Sequence, residues 1–132
     1  MSSPIRLFLR LQTAIFFVAA LIHFEVSFEG YPDREAGIAE TVIGFVLLVG
    51  LILTYLVPHR ARVIALVVQG FALAGTFVGL TLLLTVGPAT GLDVAIHTVM
   101  VVVLVAGLVM TWRAWPGFHP PADRVIDDST RR

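Results

Sequence analysis

The residues in this chain best suited to chemistry are two histidines and the carboxylates near them. His23 lies toward the end of the first long apolar stretch, and His97 near the start of the last. If both stretches are helices, each imidazole falls about one turn inside the same end of its helix. Their depths then match, and neighbouring helices would bring the two rings together. Asp93 stands four residues before His97, on the same helical face, where it can orient or share the imidazole. Glu40 begins the second stretch at a similar level, and Thr81 and Thr85 end the third on the same side. Glu25 is two residues from His23, and on a helix it points about 160° away from it. Together these residues predict a polar ring of imidazole, carboxylate and hydroxyl at one mouth of a helical assembly.

Two imidazoles with carboxylates suit Zn²⁺ or another borderline divalent cation, with His23, His97 and Asp93 as the metal ligands. Glu25, Glu40, Thr81 and Thr85 are the further candidates for binding a ligand. A metal held by neutral imidazole would be lost as the pH falls through about 6.5. The same two histidines on neighbouring helices could instead be axial ligands to haem b, or frame a quinone. No His-x-x-x-His or Glu-x-x-His repeat narrows that choice. A plainer alternative stays open, in which each imidazole hydrogen-bonds near lipid headgroups and binds nothing. Met100 and Met110 are too isolated to form a copper relay and read as packing. The sequence holds no Walker loop, dinucleotide fingerprint, zinc-protease helix or activated-serine motif. It also lacks the charged residue deep in the bilayer that marks proton-coupled exporters.

The elements that must position these residues are four long apolar segments. The chain has 132 residues, enough for one domain, and is 58% hydrophobic and 14% charged. Its mean hydropathy of +0.93 lies far above that of a soluble domain. Nine basic residues balance nine acidic ones, so net charge argues against a nucleic-acid partner. The absence of cysteine removes disulfides, thiolate metal sites and thiol catalysis. From Gly91 to Arg113 no charge follows Asp93 until Arg113 itself. A helix rising about 1.5 Å per residue spans a hydrocarbon core of about 30 Å in some 20 residues. Trp112 and Arg113 close this segment as interfacial anchors.

The other segments follow the same logic. Arg6 and Arg10 precede an apolar run longer than a signal-peptide core, which we read as a retained first helix. Arg10 and Gln12 are expected to snorkel at its start, and Tyr55 to sit in the aromatic belt. Gln69 is expected to make an interhelical hydrogen bond. The predicted spans are about 7–28, 38–57, 63–86 and 92–112, with Gly30 and Pro32 ending the first and Gly87-Pro88 the third. They form one transmembrane domain over 1–115, and 116–132 is a flexible cytoplasmic tail with too little apolar surface to fold alone.

Arg6, Arg10, Arg60, Arg62, Arg113 and Arg124 all fall on one side, and only Arg34 on the other. The positive-inside rule then makes both termini cytoplasmic, in a membrane taken to be a bacterial plasma membrane. Short connections favour antiparallel neighbours. The expected fold is therefore an all-α, up-down-up-down bundle of four transmembrane helices, with the first beside the fourth. Gly70, Ala74, Gly75 and Gly79 occur at four-residue steps that permit close backbone approach, for packing within the bundle or for a homo-oligomeric seam. The expected function is that of a small membrane protein, leaning to non-enzymatic, with a His/carboxylate ligand or metal site at the outer mouth. One alternative is an accessory or assembly subunit of a larger membrane complex. A second is a haem- or quinone-binding electron-transfer protein.

Overall fold

The computed structural model describes residues 3–25, 33–86 and 90–114. Four helices account for nearly all of them: α1 (Ser3–His23), α2 (Arg34–Leu56), α3 (Ala61–Thr85) and α4 (Gly91–Arg113). A 3-10 turn, Pro58–Arg60, joins α2 to α3. The described structure is all-helical, and all four helices are long and apolar enough to cross a membrane. At about 1.5 Å per residue, their 21 to 25 residues extend roughly 32–38 Å.

The helix ends have local causes. Asp33 caps α2, its carboxylate accepting from the Ala36 backbone N–H at 3.0 Å, so α2 starts four residues before the expected 38. Helix α1 stops at His23 rather than near 28. Glu25 takes a left-handed φ of 57°, and the Asp33 N–H donates to the His23 carbonyl at 3.2 Å. At Thr90 a capping box opens α4: the hydroxyl accepts from the Asp93 N–H, and the Asp93 carboxylate accepts from the Thr90 N–H at 3.1 Å. The expected stop signals at Gly30, Pro32, Gly87 and Pro88, and the tail 116–132, lie outside the described residues.

Helix α1 packs against α2 and α4, α2 against α3, and α3 against α4. Polar contacts mark two opposite ends. At one, Arg6 donates to the Thr54 carbonyl at 2.8 Å and stacks 4.0 Å from the centre of the Tyr55 ring. Arg10 donates to the Tyr55 hydroxyl, and Arg62 to the Ala114 carbonyl. These contacts place the start of α1 beside the end of α2, and the start of α3 beside the end of α4. At the other end His23 meets Glu40 and Asp93, which places the end of α1 beside the starts of α2 and α4.

The burial pattern is inverted relative to a water-soluble bundle. Gln12, Thr54, Gln69, Thr76 and Thr111 are buried, whereas Leu7, Val49, Val67, Phe71 and Val102 are exposed. A compact apolar core still runs through Leu9, Phe16, Leu47, Ala65 and Leu104. In its midst Gln12 donates from Nε2 to Gln69 Oε1 at 3.0 Å and to the Val103 carbonyl at 3.1 Å. Gln69 donates to Thr111 Oγ1 at 3.1 Å. Gln12 therefore does not snorkel; it is buried and ties α1 to α3 and α4. Gly107 makes this possible, because a Cβ there would overlap both the Gln12 amide nitrogen and the Gln69 amide oxygen.

The small residues of α3 split between two faces. A Cβ on Gly75 would lie 2.9 Å from Ile43 Cδ1 of α2, and one on Gly79 would lie 3.6 Å from His97 Nε2 of α4. A Cβ on Gly70 would meet nothing within 4 Å, and Ala74 is exposed. Gly75→Leu should thus lower stability in detergent by about 1–3 kcal/mol through overpacking, with Gly70→Leu close to neutral. Equal thermal midpoints for the two variants would contradict this packing. Gly107→Ala should also destabilise the protein, because its methyl separates the two glutamine amides. Without that clash, replacing a mid-helix glycine by alanine would gain about 0.5–1 kcal/mol.

Candidate functional site

The site is built at the end where α1, α2 and α4 converge. His23, in the last turn of α1, is 4% exposed and lies between two carboxylates from other helices. Its Nδ1 is 2.8 Å from Glu40 Oε2 on α2, and its Nε2 is 3.4 Å from Asp93 Oδ1 on α4. The capping box orients Asp93. Its Oδ2 takes the Thr90 N–H and hydroxyl, which turns Oδ1 toward His23. One carboxylate thus starts a helix and also holds an imidazole from another.

His97 is arranged differently. Its Nδ1 is 2.9 Å from the Asp93 backbone carbonyl, one turn earlier on α4. A carbonyl only accepts, so Nδ1 must carry the proton, and in the neutral ring Nε2 keeps the lone pair. That nitrogen lies beside α3 near Gly79, where a Cβ would come to 3.6 Å from it, an ordinary contact. The sequence predicts that the Asp93 carboxylate serves His97, four residues on. In the structure the carboxylate serves His23, and only the Asp93 backbone serves His97. The physical reason is that Thr90 fixes the carboxylate at the helix start, while the nearest acceptor for His97 is its own helix's i−4 carbonyl.

These side chains line a cavity of about 540 Å³. Its polar lining includes His23, Asp33, Glu35, Glu40, Thr76, Thr90, Asp93 and His97. Phe16, Ile43, Leu82, Leu83, Val86 and Met100 supply apolar wall, and Gly75 and Gly79 supply open backbone. Glu40 is 4% exposed, and its second oxygen, Oε1, has no hydrogen-bond partner among the described residues. The volume falls within the range of small-molecule sites, roughly 300–1,000 Å³.

The structure gathers His23, Glu40, Asp93 and His97 from the expected set. It does not bring Glu25, Thr81 or Thr85 to the cavity lining. Thr81 and Thr85 are exposed and donate to carbonyls of their own helix, Phe77 and Thr81, at 2.8 and 2.7 Å. Glu25 is exposed beyond the end of α1, with a left-handed φ of 57°. Among the described residues, no group of three or more His, Asp or Glu side chains is arranged to hold a metal ion. The sequence reading did not single out Asp33 and Glu35, and it took Met100 as packing alone. Asp33 carried a usable signal, because an aspartate three residues before Ala36 is placed to cap a helix beginning at Arg34.

The His23–Glu40 contact should be energetically coupled, since removing either partner leaves a buried polar group unsatisfied. His23→Ala and Glu40→Ala should each cost on the order of 3 kcal/mol, and the double variant clearly less than their sum. Strict additivity in detergent unfolding would mean that the contact contributes nothing. In comparisons with known proteins, no family model, curated relative or solved structure matches this chain.

Proposed function

We propose that this chain is a small integral membrane protein that holds a small-molecule ligand in the cavity between α1, α2, α3 and α4. The observation that carries the reading is the cavity itself. About 540 Å³ is walled by apolar side chains below a cluster of His23, Glu40, Asp93 and His97. The exterior supports a bilayer environment, since Leu7, Val49, Val67, Phe71 and Val102 have no partner in water that would justify their exposure. The end-to-end contacts of successive helices support an up-down-up-down bundle. The clustering of Arg6, Arg10, Arg60, Arg62 and Arg113 at the opposite end supports, by the positive-inside rule, a cavity that opens on the outer side of a plasma membrane with both termini inside.

A ligand is favoured over a metal by the occupation of His23. A metal ion would have to displace Glu40 and Asp93 from its two ring nitrogens, leaving His97 Nε2 as the available nitrogen donor. Among the described residues the site holds no arranged nucleophile, so the proposed role is binding or presentation of the ligand.

The chain has no cysteine, which makes the test direct. Leu83→Cys, in the cavity wall, should react from outside intact cells with a charged, membrane-impermeant thiol reagent. Val67→Cys, on the exposed apolar face, and Ser129→Cys, in the tail, should not. Protection of Leu83→Cys, or labelling of Ser129→Cys, would overturn the reading.

A further inference from the structure

We infer that the cavity selects an organic cation, a protonated amine on a compact apolar body. The inference rests on the ligand-cavity reading above and concerns the chemistry of the occupant.

The polar groups lining the cavity are unbalanced. Among the described residues, four carboxylates contribute, Asp33, Glu35, Glu40 and Asp93, and no lysine or arginine does. Asp33 and Asp93 are partly engaged as caps of α2 and α4. Thr76 donates its hydroxyl to the Ala72 carbonyl at 2.8 Å, so its proton is taken within α3. His97 presents Nε2 as an acceptor because Nδ1 donates to the Asp93 carbonyl.

The burial and bonding of Glu40 add a second indication to the count of charges. It is among the most buried charged-type residues of the chain, at 4% exposure, and it lines this cavity. Oε2 meets His23, but Oε1 has no hydrogen-bond partner among the described residues. A buried carboxylate oxygen without a donor is costly, and a donor brought by a ligand would relieve that cost. The cavity thus offers lone pairs and asks for N–H groups. An ammonium, with its N–H donors and positive charge, answers both the hydrogen bonding and the excess of carboxylate over the His23 imidazole that Glu40 and Asp93 hold between them. A carboxylate or phosphate would meet that same excess of like charge. Below this cluster the wall turns apolar at Phe16, Ile43, Leu83 and Met100. That wall suits a hydrocarbon body, and Phe16 and Met100 suit its contact with a ring or cage.

Three rigid probes of one shape separate charge from hydrophobicity: 1-adamantylammonium, 1-adamantanol and 1-adamantanecarboxylate. Binding is measured by calorimetry to the full-length protein in lipid nanodiscs, with empty nanodiscs as reference. The ammonium should bind saturably and at least about tenfold tighter than the alcohol, with the carboxylate weakest. Glu40→Gln should remove about tenfold of ammonium affinity and leave the alcohol unchanged. If Glu40→Gln fails to fold, Glu35→Gln, at an exposed position in the lining, should still weaken the ammonium selectively. Saturable binding in which alcohol or carboxylate equals the ammonium would overturn the cation inference while leaving the ligand cavity standing. No saturable binding by any probe would also overturn it, and the cavity reading would then be judged by the Leu83→Cys labelling alone.

Discussion

A polar side chain buried among apolar helices can bond only to another side chain or to a backbone carbonyl, and most of this structure follows from that constraint. Gln12 and Gln69 meet that constraint in the interior, and their pairing requires α1, α3 and α4 to approach at one level. The approach requires a residue with no side chain on α4, which is Gly107. His23, Glu40 and Asp93 meet the same constraint at one end and join α1, α2 and α4. Each interhelical hydrogen bond in such an interior adds only about 0.6 kcal/mol on average. Their larger effect is on specificity, since a rotated or shifted helix would leave several of these groups unsatisfied at once.

The two levels differ in what they leave over. Around Gln69 the packing closes: Thr111, Ala65 and Gly107 fill the space. Around His23 it stays open, and a cavity lies there with Gly75 and Gly79 in its α3 wall. Gly107 admits two amides from neighbouring helices where a Cβ could not fit, whereas a Cβ on Gly79 would make only an ordinary contact, 3.6 Å from His97 Nε2.

The orientation of the site depends on helix ends rather than helix faces. Asp93 is fixed by the capping box with Thr90, and Asp33 by the first turn of α2, so both carboxylates are held by backbone as well as by charge. His23 is the last residue of α1, and its carbonyl accepts from the Asp33 N–H. The cavity rim is therefore made largely of helix ends whose backbone hydrogen bonds are already committed. Glu40 Oε1 is a buried group in this neighbourhood with no hydrogen-bond partner among the described residues.

The sequence alone determined that four helices form and roughly where they run, because apolar length and Arg placement are local properties that survive without knowledge of neighbours. It also identified His23, Asp93, His97 and Glu40 as one level of the assembly, since depth along a helix is set by counting residues. It did not determine which side chain bonds which. Asp93 was assigned to His97 by four-residue spacing, yet the capping geometry at Thr90 sends its carboxylate to His23 instead. Thr81 and Thr85 share the right depth but turn to their own helix, because rotation about the helix axis is set by packing rather than by sequence distance. Gln12 near the start of α1 looks like an interfacial residue until Gln69, 57 positions away, and Gly107 are brought beside it. Depth is one-dimensional and legible in the chain; azimuth and partnership are decided only when the helices pack.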